Sequence, residues 1–176
     1  MKSYMVISGS GPDRVGLVDD ISGFMIGKKI NIEDSRMAVL GGEFALILLV
    51  SGEEADIKWL GENLGELKSR TGLNLFSKPT VAPAARQLEH TLPYRMVVSG
   101  MDHPGIVRQF TSVLHNNGVN IESMESKVAP APLSGTPVFT MECRLAVPAG
   151  VKIAQLKYVL NQAAEESNLD FDFEPI

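Results

Sequence analysis

One pattern is written twice in this chain, 89 residues apart, and the repeated residues are those that build a turn at the head of a helix. The first copy, VISGSGPDRVGLVDDISGFMIGKKINIEDS, runs from Val6 to Ser35, and the second, VVSGMDHPGIVRQFTSVLHNNGVNIESM, from Val97 to Met124. A shift of 89 carries Asp13 onto Asp102, Gly16 onto Gly105, Leu17 onto Ile106, Ile21 onto Phe110, Asn31 onto Asn120, Ile32 onto Ile121 and Glu33 onto Glu122. Two copies are too few for a stacked solenoid, so the repeat implies a duplicated globular domain. Whatever one half folds into, the other must fold into as well.

A chain of 176 residues then holds two small domains. Domains of about 80 residues leave much of their surface unburied, which predicts support from the twin domain or from another subunit, and so a homo-oligomer, most simply a dimer. The expected boundaries are a first domain over 1–79, a linker over 80–92 and a second domain over 93–176. The segment PTVAPAARQLEHTLP, from Pro79 to Pro93, has no apolar period and three prolines, as a linker should.

Within the first copy, YMVIS is strand-like, and Val15, Val18, Ile21 and Met25 recur at helical spacing, with Leu17 and Phe24 widening the stripe. NIEDSRMAVLGGEFALILLVSG reads as two strands around Gly41-Gly42, a pair able to take the positive φ angles of a tight hairpin. Ile57, Leu60, Leu64 and Leu67 mark a second helix ending near Gly72, and LNLFS a last strand. The second copy repeats the order. Its helix stripes are Val107, Phe110, Val113, Leu114 and Ile153, Leu156, Leu160, Ala163, and a proline-rich stretch from Ala129 to Pro137 stands where the glycine hairpin was, a stretch not expected to carry the strand ladder fully. The order βαββαβ predicts an α+β class, with two ferredoxin-like units that each lay two helices on one face of a four-stranded antiparallel sheet.

Charge narrows the function. The net charge is −5, with −2 in the first 80 residues and −3 in the remainder, and no Lys/Arg stripe occurs, which argues against direct binding to nucleic acid. The N-terminus lacks a signal-peptide core and no apolar run has transmembrane length, so the expectation is a cytoplasmic protein away from membranes. The single Cys143, in the strand-like run VFTMECRLAV, reads as a small buried hydrophobe.

The repeated turn is the candidate site. In Asp102-His103-Pro104-Gly105 the proline suits a first helical position and the aspartate a cap, and Asp13-Arg14-Val15-Gly16 stands at the same place in the first copy. A glycine here lets a ligand approach free amides, which together with the helix dipole suit a carboxylate. Asn31 and Asn120 open the following strand with both a donor and an acceptor to offer an amino acid. Each residue also has a structural reading: a cap for Asp, a packing position for Gly, a turn residue for Asn. GSGPDRVG is not a dinucleotide fingerprint, since Arg14 replaces its third glycine. The three histidines lack metal spacing, and no catalytic constellation, cofactor motif or metal set is expected.

These residues resemble the ACT domain, whose pattern is a strand, a D-R-P-G turn opening a helix, and an N-I pair opening the second strand. Val15 departs from the usual proline and His103 from the usual arginine. The longer run from Asn31 to Gly52 is similar to the glycine cleavage system transcriptional repressor family, a tandem of two ACT domains. The resemblance implies a regulator, not an enzyme, that binds a small amino acid such as glycine or serine at domain interfaces and acts through a protein partner bound to DNA. Carried over, the ligand-binding positions are Asp13, Arg14, Gly16 and Asn31, and Asp102, His103, Gly105 and Asn120. Two alternatives stand beside it: a ligand-free interaction module, and a regulatory subunit of an enzyme of amino-acid or folate metabolism.

Overall fold

The computed structural model describes residues 2–82, 90–132 and 134–176. It forms two compact units, Met1–Gln87 and Leu88–Ile176. Most of the expected linker, residues 83–89, lies outside the described residues.

The first unit runs β1 (Lys2–Pro12), α1 (Leu17–Ile26), β2 (Asn31–Leu40), β3 (Glu43–Glu53), α2 (Glu54–Glu62), α3 (Leu64–Thr71) and β4 (Asn74–Thr80). The second runs β5 (Thr91–Met101), α4 (Ile106–Asn116), β6 (Asn120–Pro130), β7 (Pro137–Pro148), α5 (Ile153–Glu166) and β8 (Asp170–Pro175). Each sheet is four-stranded, in the orders β2-β3-β1-β4 and β6-β7-β5-β8, and every pairing is antiparallel. These are two ferredoxin-like folds of the α+β class.

Strand alternation sets the core. In β3, Phe44, Leu46, Leu48 and Val50 are buried, and with Met5 and Ile7 of β1 they form one cluster with Leu17, Ile21, Phe24 and Met25 of α1 and Ile57, Leu60, Leu64 and Leu67 of α2 and α3. All three helices therefore cover the same face. The second unit repeats the plan, with Phe139, Met141, Cys143, Leu145 and Val147 of β7 against Ile106, Phe110 and Leu114 of α4 and Leu156, Leu160 and Ala163 of α5.

The stripe of α1 differs from the expectation at its start. Val15 is 98% exposed and Val18 49%, because Gly16 takes a left-handed conformation and the helix begins at Leu17, so the buried face is phased from Leu17. The second helix of the first unit is divided at Asn63, whose φ of −105° and ψ of 11° leave the helical region while its Nδ2 donates to the Trp59 carbonyl at 2.8 Å. Gly72, at φ +75°, ends α3 by donating its amide to Lys68 O at 2.8 Å.

Gly41 and Gly42 have φ of 60° and 86°, the pair of left-handed residues that a two-residue hairpin needs. The proline-rich hairpin is a correction to the sequence reading: the ladder continues to Ala129–Val138 and Pro130–Pro137. Both prolines occupy the last rung, where a missing N–H costs the ladder nothing further inward. Each unit also has a register shift on its edge strand, at Glu33 between Ile32 and Asp34, and at Glu122 between Ile121 and Ser123. No helix among the described residues is long and apolar enough to cross a membrane.

Candidate functional site

The turn that follows the first strand is held at its start by the backbone. Asp13 N donates to Gly42 O at 3.0 Å, and Asp102 N to Pro137 O at 3.2 Å, so in both units the end of the β-hairpin pins the entry to the helix. The exit is a glycine. Gly16 and Gly105 are the N-caps of α1 and α4, with φ of 90° and 104°, and among the described residues neither helix has a side-chain cap.

This corrects the expected roles of aspartate and proline. Pro104 lies two residues before the first helical residue, Ile106, and Asp102 is still further out, so neither occupies a capping position. The glycines are required by their backbone angles, because an L side chain is strained there. Space is not the constraint: among the described residues a Cβ on Gly105 would meet nothing within 4 Å, and one on Gly16 only Arg14 Nη1 at 3.8 Å.

The two turns are built differently around that shared backbone. Arg14 Nη2 donates to Asp20 Oδ2 at 2.6 Å and to the Arg70 carbonyl at 2.9 Å, and Nη1 to the Val15 carbonyl at 3.1 Å. Its guanidinium thus ties α1 to the end of α3. In the second unit that tie belongs to Gln109, which stands where the first has Asp20. Gln109 Nε2 donates to Ala163 O at 2.8 Å and its Oε1 accepts from Ser167 Oγ at 2.9 Å. Among the described residues the side chain of His103, the counterpart of Arg14, has one hydrogen-bond contact, with its neighbour's carbonyl: Nδ1 lies 3.2 Å from Pro104 O, a contact that needs the proton on Nδ1.

A cleft of about 520 Å³ opens at the second turn, lined by Asp102, His103, Gly105, Ile106, Val107, Arg108, Thr111, Val128 and Phe139. Such a volume lies within the range of small-molecule sites, roughly 300–1,000 Å³. Its walls are apolar and its rim carries Asp102, His103 and Arg108. Arg108, Thr111, Val128 and Phe139 are not among the residues that the sequence motif singles out. A signal for Arg108 is present in the repeat, where it falls on Asp19 and reverses the charge.

Asn31 and Asn120 are not beside their own turns. Asn31 is level with Ser51 and Tyr4, whereas Leu40, Glu43 and Pro12 mark the other end of the sheet. Tyr4 and Pro12 are eight residues apart on β1, roughly 25 Å of strand. Asn120 is level with Ala146 and Pro93, eight residues along β5 from Met101. The structure therefore brings Asp13, Arg14 and Gly16 together, and likewise Asp102, His103 and Gly105, and sets each asparagine at the far end of its own domain.

The end that holds Asn31 has its own polar cluster. Glu33, bulged out of register, accepts from Lys2 Nζ at 2.8 Å and from Ser51 Oγ at 2.5 Å. These bonds, Lys2 first, then Ser51 and Asn31, hold its carboxyl down at about 2. In the second unit Ala146 occupies the position of Ser51 opposite the asparagine. Among the described residues no cluster of His, Cys, Asp and Glu could hold a metal ion.

Residues 3–78 and 94–153 each match the ACT domain family. The chain belongs to the ACT domain family. It is a tandem of two ACT domains. It is 27% identical over 165 residues to the glycine cleavage system transcriptional repressor of Escherichia coli (strain K12), an overlap of 94% of this chain and 86% of the relative. The protein of the same name from Shigella flexneri matches to the same extent. The crystal structure of an unknown protein from Galdieria sulphuraria superposes with a TM-score of 0.85 at 34% identity, covering 100% of this chain and 99% of that one. The chain is thus a regulatory-type ACT tandem similar to the glycine cleavage repressor.

Proposed function

We propose that this protein is an amino-acid-responsive regulator, which binds a small amino acid at its ACT turns and passes the signal to a protein partner. The observation that carries this reading is the turn itself. Two left-handed glycines hold the helix starts open to solvent, beside the acidic residues Asp13 and Asp102, with no described side chain filling the space over Gly105. A glycine- or serine-sized zwitterion matches that chemistry, donating its ammonium to a carboxylate and receiving amide donors at its own carboxylate.

The route to transcription implied by the relative's name would run through a DNA-bound protein, since a net charge of −5 gives the chain little attraction for the phosphate backbone. A cytoplasmic setting belongs to the same reading. The turn and the asparagine of one domain are too far apart to hold one small ligand, so a site that uses both needs another ACT unit. We assign that role to a second copy of the chain, in a homodimer.

Calorimetric titration with glycine, serine, alanine and the branched amino acids tests the reading. Saturable binding weakened by Asn31→Ala or Asn120→Ala supports it. Silence to several millimolar, with a protein partner captured regardless of metabolite, would instead favour a ligand-free interaction module. Co-purification with an enzyme whose activity the chain alters would favour a regulatory subunit.

A further inference from the structure

The cleft at the second turn has a positional counterpart in the first domain, residue for residue, and the two differ in charge. Ile106, Val107, Thr111, Val128 and Phe139 correspond to Leu17, Val18, Ser22, Val39 and Phe44, by the shift of 89 or, for the last, by the rung it shares with Val128 or Val39. The two copies therefore share their apolar walls, and also the rim carboxylate, Asp102 or Asp13. They do not share the rim cation: Arg108 stands where the first domain has Asp19.

We infer that Arg108 is a carboxylate-binding residue, and that the second domain takes an α-amino acid with an aliphatic side chain, leucine- or valine-like, larger than glycine. Rim and walls together present the three features such a ligand needs. Arg108 can donate two parallel N–H bonds to its carboxylate. Asp102 accepts from its ammonium, and Val107, Val128 and Phe139 receive the side chain. Val128 is 53% exposed, an apolar residue of the edge strand with area still to bury.

The rim cation is uncommitted. Among the described residues Arg108 makes no ion pair and no side-chain hydrogen bond, and the one hydrogen-bond contact of the His103 side chain is with Pro104 O. The first domain has the opposite arrangement: Arg14 is held by Asp20 and by Arg70 O, and Asp19 would repel a carboxylate. The second domain is accordingly the sensing half, and the first carries a turn of the same shape whose arginine serves structure.

This inference rests on the amino-acid-sensing reading, and the experiment separates the two. The full-length chain is titrated calorimetrically with leucine, glycine, 3-methylbutylamine, which lacks the carboxylate, and 4-methylpentanoate, which lacks the ammonium. Leucine is expected to bind with one site per chain, and the amine not at all. Arg108→Gln should weaken leucine about tenfold or more, Arg108→Lys should restore part of the loss, and Asp19→Asn should leave binding unchanged. Because Arg108 has no partner to lose among the described residues, its variants should keep the parental melting temperature. Glycine binding without leucine binding, or leucine binding indifferent to Arg108→Gln, would overturn this inference and leave the sensor intact. Failure of every amino acid to bind would overturn both.

Discussion

The Arg14 guanidinium meets the Asp20 carboxylate at 2.6 Å and, through the same nitrogen, the Arg70 carbonyl at 2.9 Å. A residue that the family motif places in a ligand-binding turn here fastens α1 to α3. Exposed ion pairs contribute little, roughly 0.2–1 kcal/mol, and a hydrogen bond to a helix-terminal carbonyl a similar amount. Arg14→Ala should therefore destabilise the first domain by about 1 kcal/mol, whereas His103→Ala should leave the second domain's stability unchanged. Urea unfolding of the two variants checks the contrast.

Gly105 should tolerate little else. Its φ is +104° and an added methyl group would meet nothing within 4 Å among the described residues, so the cost of Gly105→Ala is conformational. It should amount to about 1–2 kcal/mol, and Gly105→Asn to less, since asparagine enters the left-handed region more readily. Gly9→Ala should cost more than either, because its Cβ would stand inside contact distance of the Asn74 carbonyl oxygen in the neighbouring strand, which cannot move aside. Thermal denaturation of the three variants ranks them.

Cys143 is fully buried in β7, and burial first, with the neighbouring Glu142 charge second, pushes its thiol up to about 11. It should resist alkylation at neutral pH in the native state and react once the chain is unfolded in urea. Rapid modification of the native protein, followed by mass spectrometry, would contradict the packing of this strand.

Glu33 makes the first domain acid-sensitive. Its folded carboxyl sits at about 2, below its ordinary value of 4.5, so the stabilisation is fully present above about 4.5 and is lost as pH falls through about 2. Glu33→Gln should flatten the part of the acid-unfolding curve that lies in this window. Ser51→Ala should do less, since the larger contribution, the Lys2 bond, remains. Melting temperatures measured from pH 6 to pH 2 distinguish the two.

The fold is legible in the sequence because local signals and topology agree. Leu60, Leu64 and Leu67 mark a buried helical face whether or not Asn63 divides the helix, and Gly41-Gly42 states its hairpin outright. Helical spacing misleads at Val15 and Val18, because a left-handed glycine resets the helical phase and hydrophobic periodicity does not register it. The site is legible only in part. Asp13 and Asn31 are close in the motif, but α1 carries the chain back to the foot of the sheet before β2 begins, so the asparagine lies a full strand away from the turn. Arg108 lies outside the repeated residues, and what distinguishes it is a charge that its counterpart Asp19 does not share.

Amide NMR spectra of the isotope-labelled full-length chain, recorded during titration with leucine and then with glycine, test the central claim most directly. Amino-acid sensing at the second turn predicts saturable shifts concentrated in residues 102–111 and at Val128 and Phe139, with smaller changes around Asp13 and Gly16. Spectra that stay unchanged at several millimolar of either amino acid, or shifts confined to the first domain, would contradict it.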